Sequence, residues 1–295
     1  VREPSHSSSA AQSCFLTAPD GLRLHYVDYP PCPSTQRLPL ICLPGLARSA
    51  DDFSRVALEI NARGRRVIAI DYRGRGQSDW DNDWRNYTLD IEQSDIFATL
   101  AKAEISQAVF LGTSRGGMHI MRISAHSPSL VHAAILNDIG PKIENDGLLR
   151  IKRYVGKLPP MNSMSDAIAL MRITMAPVFP GVDWEDWETY AQHTFIEKNG
   201  KVVLRYDPDL SHTLDIVTPG GEYETFWREF EYLKKIQLLV IRGETSDIFS
   251  KDTLEEMKRI VPNLQSLTVM GQGHAPLLLD RATIEKITLF LDNCP

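Results

Sequence analysis

A chain of 295 residues, 43% of them hydrophobic, is long enough to bury a sizeable core as one α/β domain carrying an insertion. Its formal net charge of -6 and the lack of any basic block interleaved with aromatics argue against a nucleic-acid surface. No run approaches the roughly 20 apolar residues of a membrane helix, and the Ser-rich N-terminus lacks the apolar core of a signal peptide, so a cytoplasmic protein without a membrane span is expected. Cys14, Cys32, Cys42 and Cys294 form neither a Cys-x-x-Cys pair nor a zinc-like set with histidines, which fits reduced thiols and no metal.

Residues 1–12 are rich in serine and poor in apolar mass, and are expected to form a disordered tail. Apolar runs on either side of Pro19-Asp20-Gly21, at residues 15–17 and 22–28, predict an opening β-hairpin. After a Pro-rich connector, six short apolar runs recur, at residues 40–43, 67–70, 108–111, 133–136, 238–241 and 267–270. They are continuous, not alternating, as strands buried on both faces must be. Helical patterns stand between them, such as Leu89, Ile96, Leu100 and Ala103 on one face. Strands alternating with helices predict an α/β fold with a mostly parallel central sheet and helices on both faces.

That alternation breaks at residues 141–233, where amphipathic pieces, Pro159-Pro160 and the aromatics Trp184, Trp187, Tyr190 and Trp227 take over. The segment reads as a mostly helical lid inserted into a core made of residues 13–140 and 234–295. Trp184 and Trp187 are candidate substrate-binding residues there, although such aromatic clusters more often serve plain packing.

The chemistry concentrates in Gly112-Thr113-Ser114-Arg115-Gly116-Gly117, a G-x-S-x-G pattern directly after one buried-strand run and directly before a helical stretch. A sharp strand-to-helix turn forces its central residue into a strained backbone conformation, so the neighbours must lack bulk. Ser114 is the candidate nucleophile. A serine hydroxyl attacks only when a base takes its proton, which demands a histidine held by a carboxylate. Among the eight histidines, His274 stands in a Gly-flanked loop after the last strand run, Gly271-Gln272-Gly273-His274. Asp247 follows the preceding run and is the expected acid. Asp138, in Leu136-Asn137-Asp138-Ile139-Gly140-Pro141, also ends a strand and is the alternative acid, its other reading being a buried turn or hinge residue.

Negative charge developing on the attacked carbonyl needs main-chain donors. The N–H of Arg115, at the start of the helix, is the first expected donor, and that of Leu46 in Leu43-Pro44-Gly45-Leu46-Ala47-Arg48-Ser49 is the second. Ser49-Ala50-Asp51-Asp52 fits a capping box that opens a helix. The stretch Asp71-Tyr72-Arg73-Gly74-Arg75-Gly76-Gln77-Ser78 contains G-x-G fragments but no phosphate-binding fingerprint, and is expected to be a structural turn beneath the site.

Taken together, Leu43-Pro44-Gly45-Leu46, residues 71–78, residues 112–117, residues 243–247 and Gly273-His274 resemble the α/β-hydrolase superfamily from about Phe15 to the end of the chain. The resemblance implies a serine hydrolase that needs no cofactor and acts on a small-molecule carboxylic ester or lactone. A carbon-carbon bond hydrolase acting on a vinylogous diketone and a ligand receptor with slow turnover are the alternatives on the same fold. Ser114 departs from the aspartate that haloalkane dehalogenases and epoxide hydrolases carry at that position. Arg115, where an apolar residue or Gln is common, and Arg48 are expected to bring positive charge near the pocket, as a substrate with a carboxylate such as a half-ester requires.

Overall fold

The computed structural model describes residues 11–31, 36–157 and 161–295, so most of the predicted tail, Cys32 and Pro159-Pro160 lie outside the described residues. The chain opens with the predicted hairpin, β1 (Gln12–Thr17) against β2 (Arg23–Tyr29), and Gly21 supplies the positive φ of 93° that its turn requires. Then follow β3 (Leu40–Leu43), α1 (Ser54–Ala62), β4 (Val67–Asp71), α2 (Leu89–Lys102), β5 (Ala108–Thr113), α3 (Arg115–His126) and β6 (Val131–Asn137). The stretch between the sixth strand and the return to the sheet holds α4 (Asn145–Tyr154), α5 (Met164–Met175), α6 (Trp184–Thr194), the hairpin β7 (Phe195–Lys198) with β8 (Lys201–Leu204), and α7 (Trp227–Phe230). The chain ends with β9 (Gln237–Gly243), α8 (Lys251–Ile260), β10 (Gln265–Val269) and α9 (Arg281–Asp292).

Eight strands form one sheet in the order β1-β2-β4-β3-β5-β6-β9-β10, parallel from β4 through β10 and antiparallel only at the β1–β2 and β2–β4 pairs. Five of the six apolar runs fall within its strands, and the sixth, 267–270, overruns β10 by the exposed Met270. The reason they are continuous is visible in β3: Ile41 and Leu43 enter one core and Leu40 and Cys42 the other. Ile96 and Leu100 of α2, Ile120 of α3 and Met257 of α8 cover the first face, whereas Val56 and Ile60 of α1 and Ile287 and Phe290 of α9 cover the second. Crossing from β3 to β5 and on to β6 and β9 brings the C-terminal ends of β3, β5, β6 and β9 side by side, where ligands of open α/β sheets bind.

The helices between β6 and β9 pack over that edge. Phe179 and Trp187 join Leu277 and Leu279, from the loop beyond His274, in a third cluster. Gly181 N–H donates to Gly271 O at 2.8 Å and Thr245 Oγ1 to Val178 O at 2.8 Å. Near its end the stretch rejoins the main core, with Phe230 and Leu233 in the cluster that holds Ile120. Among the described residues no helix is long and apolar enough to cross a membrane.

Candidate active site

The turn from β5 to α3 holds Ser114 at φ 51° and ψ -111°, a backbone conformation that L-residues avoid and that here aims the side chain off the sheet edge. The glycines around it permit close approach. A Cβ on Gly116 would overlap the carbonyl of Leu43, and one on Gly112 would overlap the carbonyl carbon of Gly116. The pentapeptide is therefore a steric requirement of setting a helix directly on the neighbouring strand. Ser114 N–H donates to Asn137 O at 2.9 Å, which ties the turn to β6.

His274 Nε2 lies 2.9 Å from Ser114 Oγ, as the loop position predicts. Its Nδ1 lies 2.7 Å from Asp138 Oδ2, in a pair that is all but sealed from solvent. Asp138 follows β6 at φ 55°, and its carboxylate also accepts Gly243 N–H on Oδ1 at 2.7 Å and Ser246 Oγ on Oδ2 at 2.6 Å. Asn137 Nδ2 donates to Pro276 O at 3.0 Å and so pins the histidine loop. The expectation that Asp247 holds the imidazole is thus corrected. Asp247 binds Arg150 side-on, Oδ2 to Nε at 2.5 Å and Oδ1 to Nη2 at 2.8 Å, and this pair overcomes the effect of burial to hold its carboxyl below the ordinary value. Asp138, the alternative acid, is the one the structure brings to the histidine. Glu244 accepts Gly271 N–H at 2.8 Å and plays a structural part.

No hydrogen bond to the Leu46 or Arg115 main-chain N–H is found among the described residues. Arg115, the first residue of α3, directly follows Ser114, and Leu46, on the loop after β3, lines the same cavity as Ser114. The predicted turn at residues 71–78 secures that arrangement from below. Asp71 pairs with His25 Nδ1 at 2.7 Å and accepts the N–H groups of Ala50 at 2.7 Å and Gln77 at 2.9 Å. Ser49 has no hydrogen bond from its hydroxyl, so the expected capping box is not formed: Asp52 N–H donates to Ser49 O at 3.2 Å, and Asp71 takes the Ala50 amide. Arg75, wholly buried, donates from Nε to Leu46 O at 2.8 Å, and its Nη1 lies 2.9 Å from Glu92 Oε1. The other oxygen of Glu92 takes Arg115 Nε at 2.6 Å and His119 Nε2 at 3.1 Å. Burial alone would raise the Glu92 carboxyl, but Arg115, Arg75 and His119 hold it well below the usual carboxylate range.

Above Ser114 lies a cavity of about 610 Å³, lined by Leu46, Ser114 and His274 from the sheet edge and by Arg150, Met171 and Tyr190 from the helices between β6 and β9. Arg48 lines it, as expected, but with its donors engaged: Nε and Nη2 on Asp52 at 2.7 and 2.5 Å, Nη1 on Thr194 Oγ1, and the plane 3.8 Å above the Tyr190 ring. Burial would raise the Asp52 carboxyl, yet Arg48 and His193 bring it down to about 2. The side chain of Arg115 does not reach the cavity, being spent on Glu92 and on Tyr87 O at 3.1 Å. Trp184 and Trp187 do not line it either: Trp187 packs edge-on against Phe179 in the third cluster, and Trp184 is half exposed beneath Arg172. Sequence reading missed Arg75, Glu92 and Arg150. An arginine directly after the nucleophile demands a buried acid, and that was the clue to Glu92. No cluster of His, Cys, Asp and Glu suited to a metal ion occurs among the described residues.

A hydroxyl, an imidazole and a buried carboxylate in hydrogen-bonded series, on an eight-stranded sheet of this order, define the class. A family model described as alpha/beta hydrolase fold matches residues 39–155, and the chain belongs to that family. It is 30% identical over 253 residues to a 3-hydroxybutyrate-oligomer hydrolase of Cupriavidus necator, a match covering 83% of this chain and 85% of the relative. The crystal structure of an alpha/beta hydrolase from Novosphingobium aromaticivorans superposes with a TM-score of 0.89 at 33% identity, over 96% of this chain and 98% of that one. A 2-(acetamidomethylene)succinate hydrolase of Mesorhizobium japonicum is 24% identical over 77% of this chain and 78% of its own length.

Proposed function

We propose that the protein hydrolyses a carboxylic ester or lactone through an acyl-enzyme on Ser114. The observation that carries this reading is the series Ser114 Oγ, His274, Asp138, with its two hydrogen bonds of 2.9 and 2.7 Å at the floor of the cavity. His274 Nε2 takes the hydroxyl proton as Oγ attacks the acyl carbon, and Asp138 fixes the tautomer that leaves Nε2 free and stabilises the imidazolium. The N–H groups of Leu46 and Arg115 receive the oxyanion, and Arg75, through Leu46 O, fixes the loop carrying the first of them. The imidazolium returns its proton to the leaving alkoxide. Water, deprotonated by the same histidine, then releases the acid and restores Ser114. Residues 141–233 serve as the cap that shapes the acyl and alcohol pockets.

The relative from Cupriavidus necator makes oligoesters of 3-hydroxybutyrate the first substrates to try. The test combines labelling by a fluorophosphonate with steady-state turnover of short p-nitrophenyl esters, 3-hydroxybutyrate oligomers and a vinylogous diketone. Labelling of Ser114 with many ester turnovers per molecule is the expected result. Labelling without repeated turnover points to a receptor, and faster turnover of the diketone points to carbon-carbon cleavage.

A further inference from the structure

The protein carries a net charge of -6, but four cationic residues and a single carboxylate line its cavity: Arg48, Arg150, Arg153 and Lys157 against Asp52. A low-dielectric cleft lined by one sign of charge concentrates ligands of the other. Three of the four cations come from one short piece of chain, Arg150 and Arg153 on α4 and Lys157 just past its end, and no ion pair is found for Arg153 or Lys157 among the described residues.

The two deeper arginines differ in one respect. Each of the three nitrogens of Arg48 has a partner, on Asp52 or Thr194. Arg150 gives Nε and Nη2 to Asp247, and its Nη1, closed off with the Tyr154 hydroxyl beside the guanidinium, makes no well-formed hydrogen bond. A buried guanidinium N–H without a well-formed hydrogen bond is unusual, and of the two found among the described residues, on Arg75 and Arg150, only Arg150 lines the cavity. The side-on pair with Asp247 fixes the guanidinium plane, and Asp247 adjoins Ser246, whose hydroxyl holds Asp138 at 2.6 Å. The third nitrogen is thereby set at a constant position relative to the acid behind the histidine.

We propose that Arg150 receives a carboxylate carried by the substrate away from the bond that is cut, Tyr154 giving way to uncover Nη1, with Arg153 and Lys157 drawing the anion in. The preferred substrate is then an acid ester, such as a half-ester or a hydroxy-acid oligoester with a free acid end. This rests on the hydrolase reading above and adds the substrate class to it.

The experiment uses two matched pairs. p-Nitrophenyl hydrogen glutarate and p-nitrophenyl methyl glutarate place or remove the charge on the acyl side, and 3-(butyryloxy)butyrate and its methyl ester do so on the alcohol side. Wild type is expected to prefer the acid in one pair, and Arg150→Met to lower the acid-to-neutral ratio of kcat/KM in that pair by roughly 10- to 100-fold, the worth of one charge-assisted contact. Because Arg150→Met also strands Asp247, Asp247→Asn is the second variant. It leaves Arg150 without its competing carboxylate, and the acid-to-neutral ratio is expected to rise. Equal losses for acid and neutral ester in Arg150→Met, or no acid preference by wild type in either pair, overturn the proposal. Calorimetric binding of 3-(butyryloxy)butyrate to Ser114→Ala separates this from failure of the hydrolase reading. Binding lost in Ser114→Ala/Arg150→Met supports the anchor even if neither pair is hydrolysed, and unaltered binding refutes it.

Discussion

Asp138 and His274 stand 136 residues apart in the chain and 2.7 Å apart in the fold. Asp247, much nearer to that histidine in sequence, turns its carboxylate to Arg150 instead. The sheet order explains the difference. β6 lies between β5, which carries Ser114, and β9, and a side chain leaving the end of β6 meets the imidazole from below while Gly243 and Ser246 at the end of β9 supply donors to it.

Exchanging each carboxylate for an amide separates the two aspartates. Asp138→Asn is expected to lower kcat for a neutral ester by about 10,000-fold, because an amide no longer fixes the productive tautomer of the imidazole. The loss in Asp247→Asn is expected to be smaller by about 100-fold or more. Steady-state assays on both variants check this, and the reverse order removes Asp138 from its assigned role.

Glu92 binds two arginines and a histidine in a fully buried site, so Glu92→Gln strands two cations. A loss of about 3–5 kcal/mol in stability is expected near neutral pH. The folded carboxyl is held below its ordinary value of 4.5, so its contribution is complete above that pH and drains away as the pH falls further. Denaturant melts across pH are expected to show the gap between wild type and variant widest near neutrality and closing below 4.5. A gap that widens in acid contradicts this account.

Gly116 has the backbone of β3 where a side chain would begin. Gly116→Ala must push α3 away from Leu43, at a cost of about 1–3 kcal/mol or more, and must also shift the Arg115 amide. A lowered melting temperature together with a fall in kcat that exceeds any change in KM is the expected pattern. A fully active, equally stable variant rules it out.

Arg65 is buried beside the end of α9, where its guanidinium donates to Leu38 O, Leu291 O, Cys294 O and Pro295 O. It satisfies carbonyls that a helix leaves open and places positive charge at the negative end of the helix. Arg65→Met is expected to cost about 2–4 kcal/mol by stranding these acceptors, with kcat at 25 °C unaltered. Thermal melts beside ester assays measure both.

The parts of the molecule governed by short-range sterics or by burial on both faces were legible in the sequence. Residues 40–43 coincide with β3 because a strand feeding two cores must be apolar at every position. Ser114 stood out because the turn tolerates only small neighbours. His274 stood out because its Gly-flanked loop follows the last strand. The acid was ambiguous for a physical reason: Asp138 and Asp247 both follow strands, and only the lateral adjacency of β6 and β9 decides which side chain meets the histidine. Arg150 was invisible because its meaning depends on how α4 lies over the sheet edge. Trp184 and Trp187 were misassigned because aromatic content does not say which way a helix turns: the same helix buries one and exposes the other.

The cavity's floor and roof are built by different rules. Below, the first turn of α3 meets Leu43 of β3 through Gly116 and Leu136 of β6 through Gly117, so that hardware admits almost no variation. Above, Arg150, Tyr154, Met171, Tyr190 and Tyr206 all belong to the single stretch between β6 and β9, joined to the sheet at two junctions. Transplanting that stretch between relatives is therefore a route to new selectivity: two cuts exchange the mould while the engine beneath stays in place.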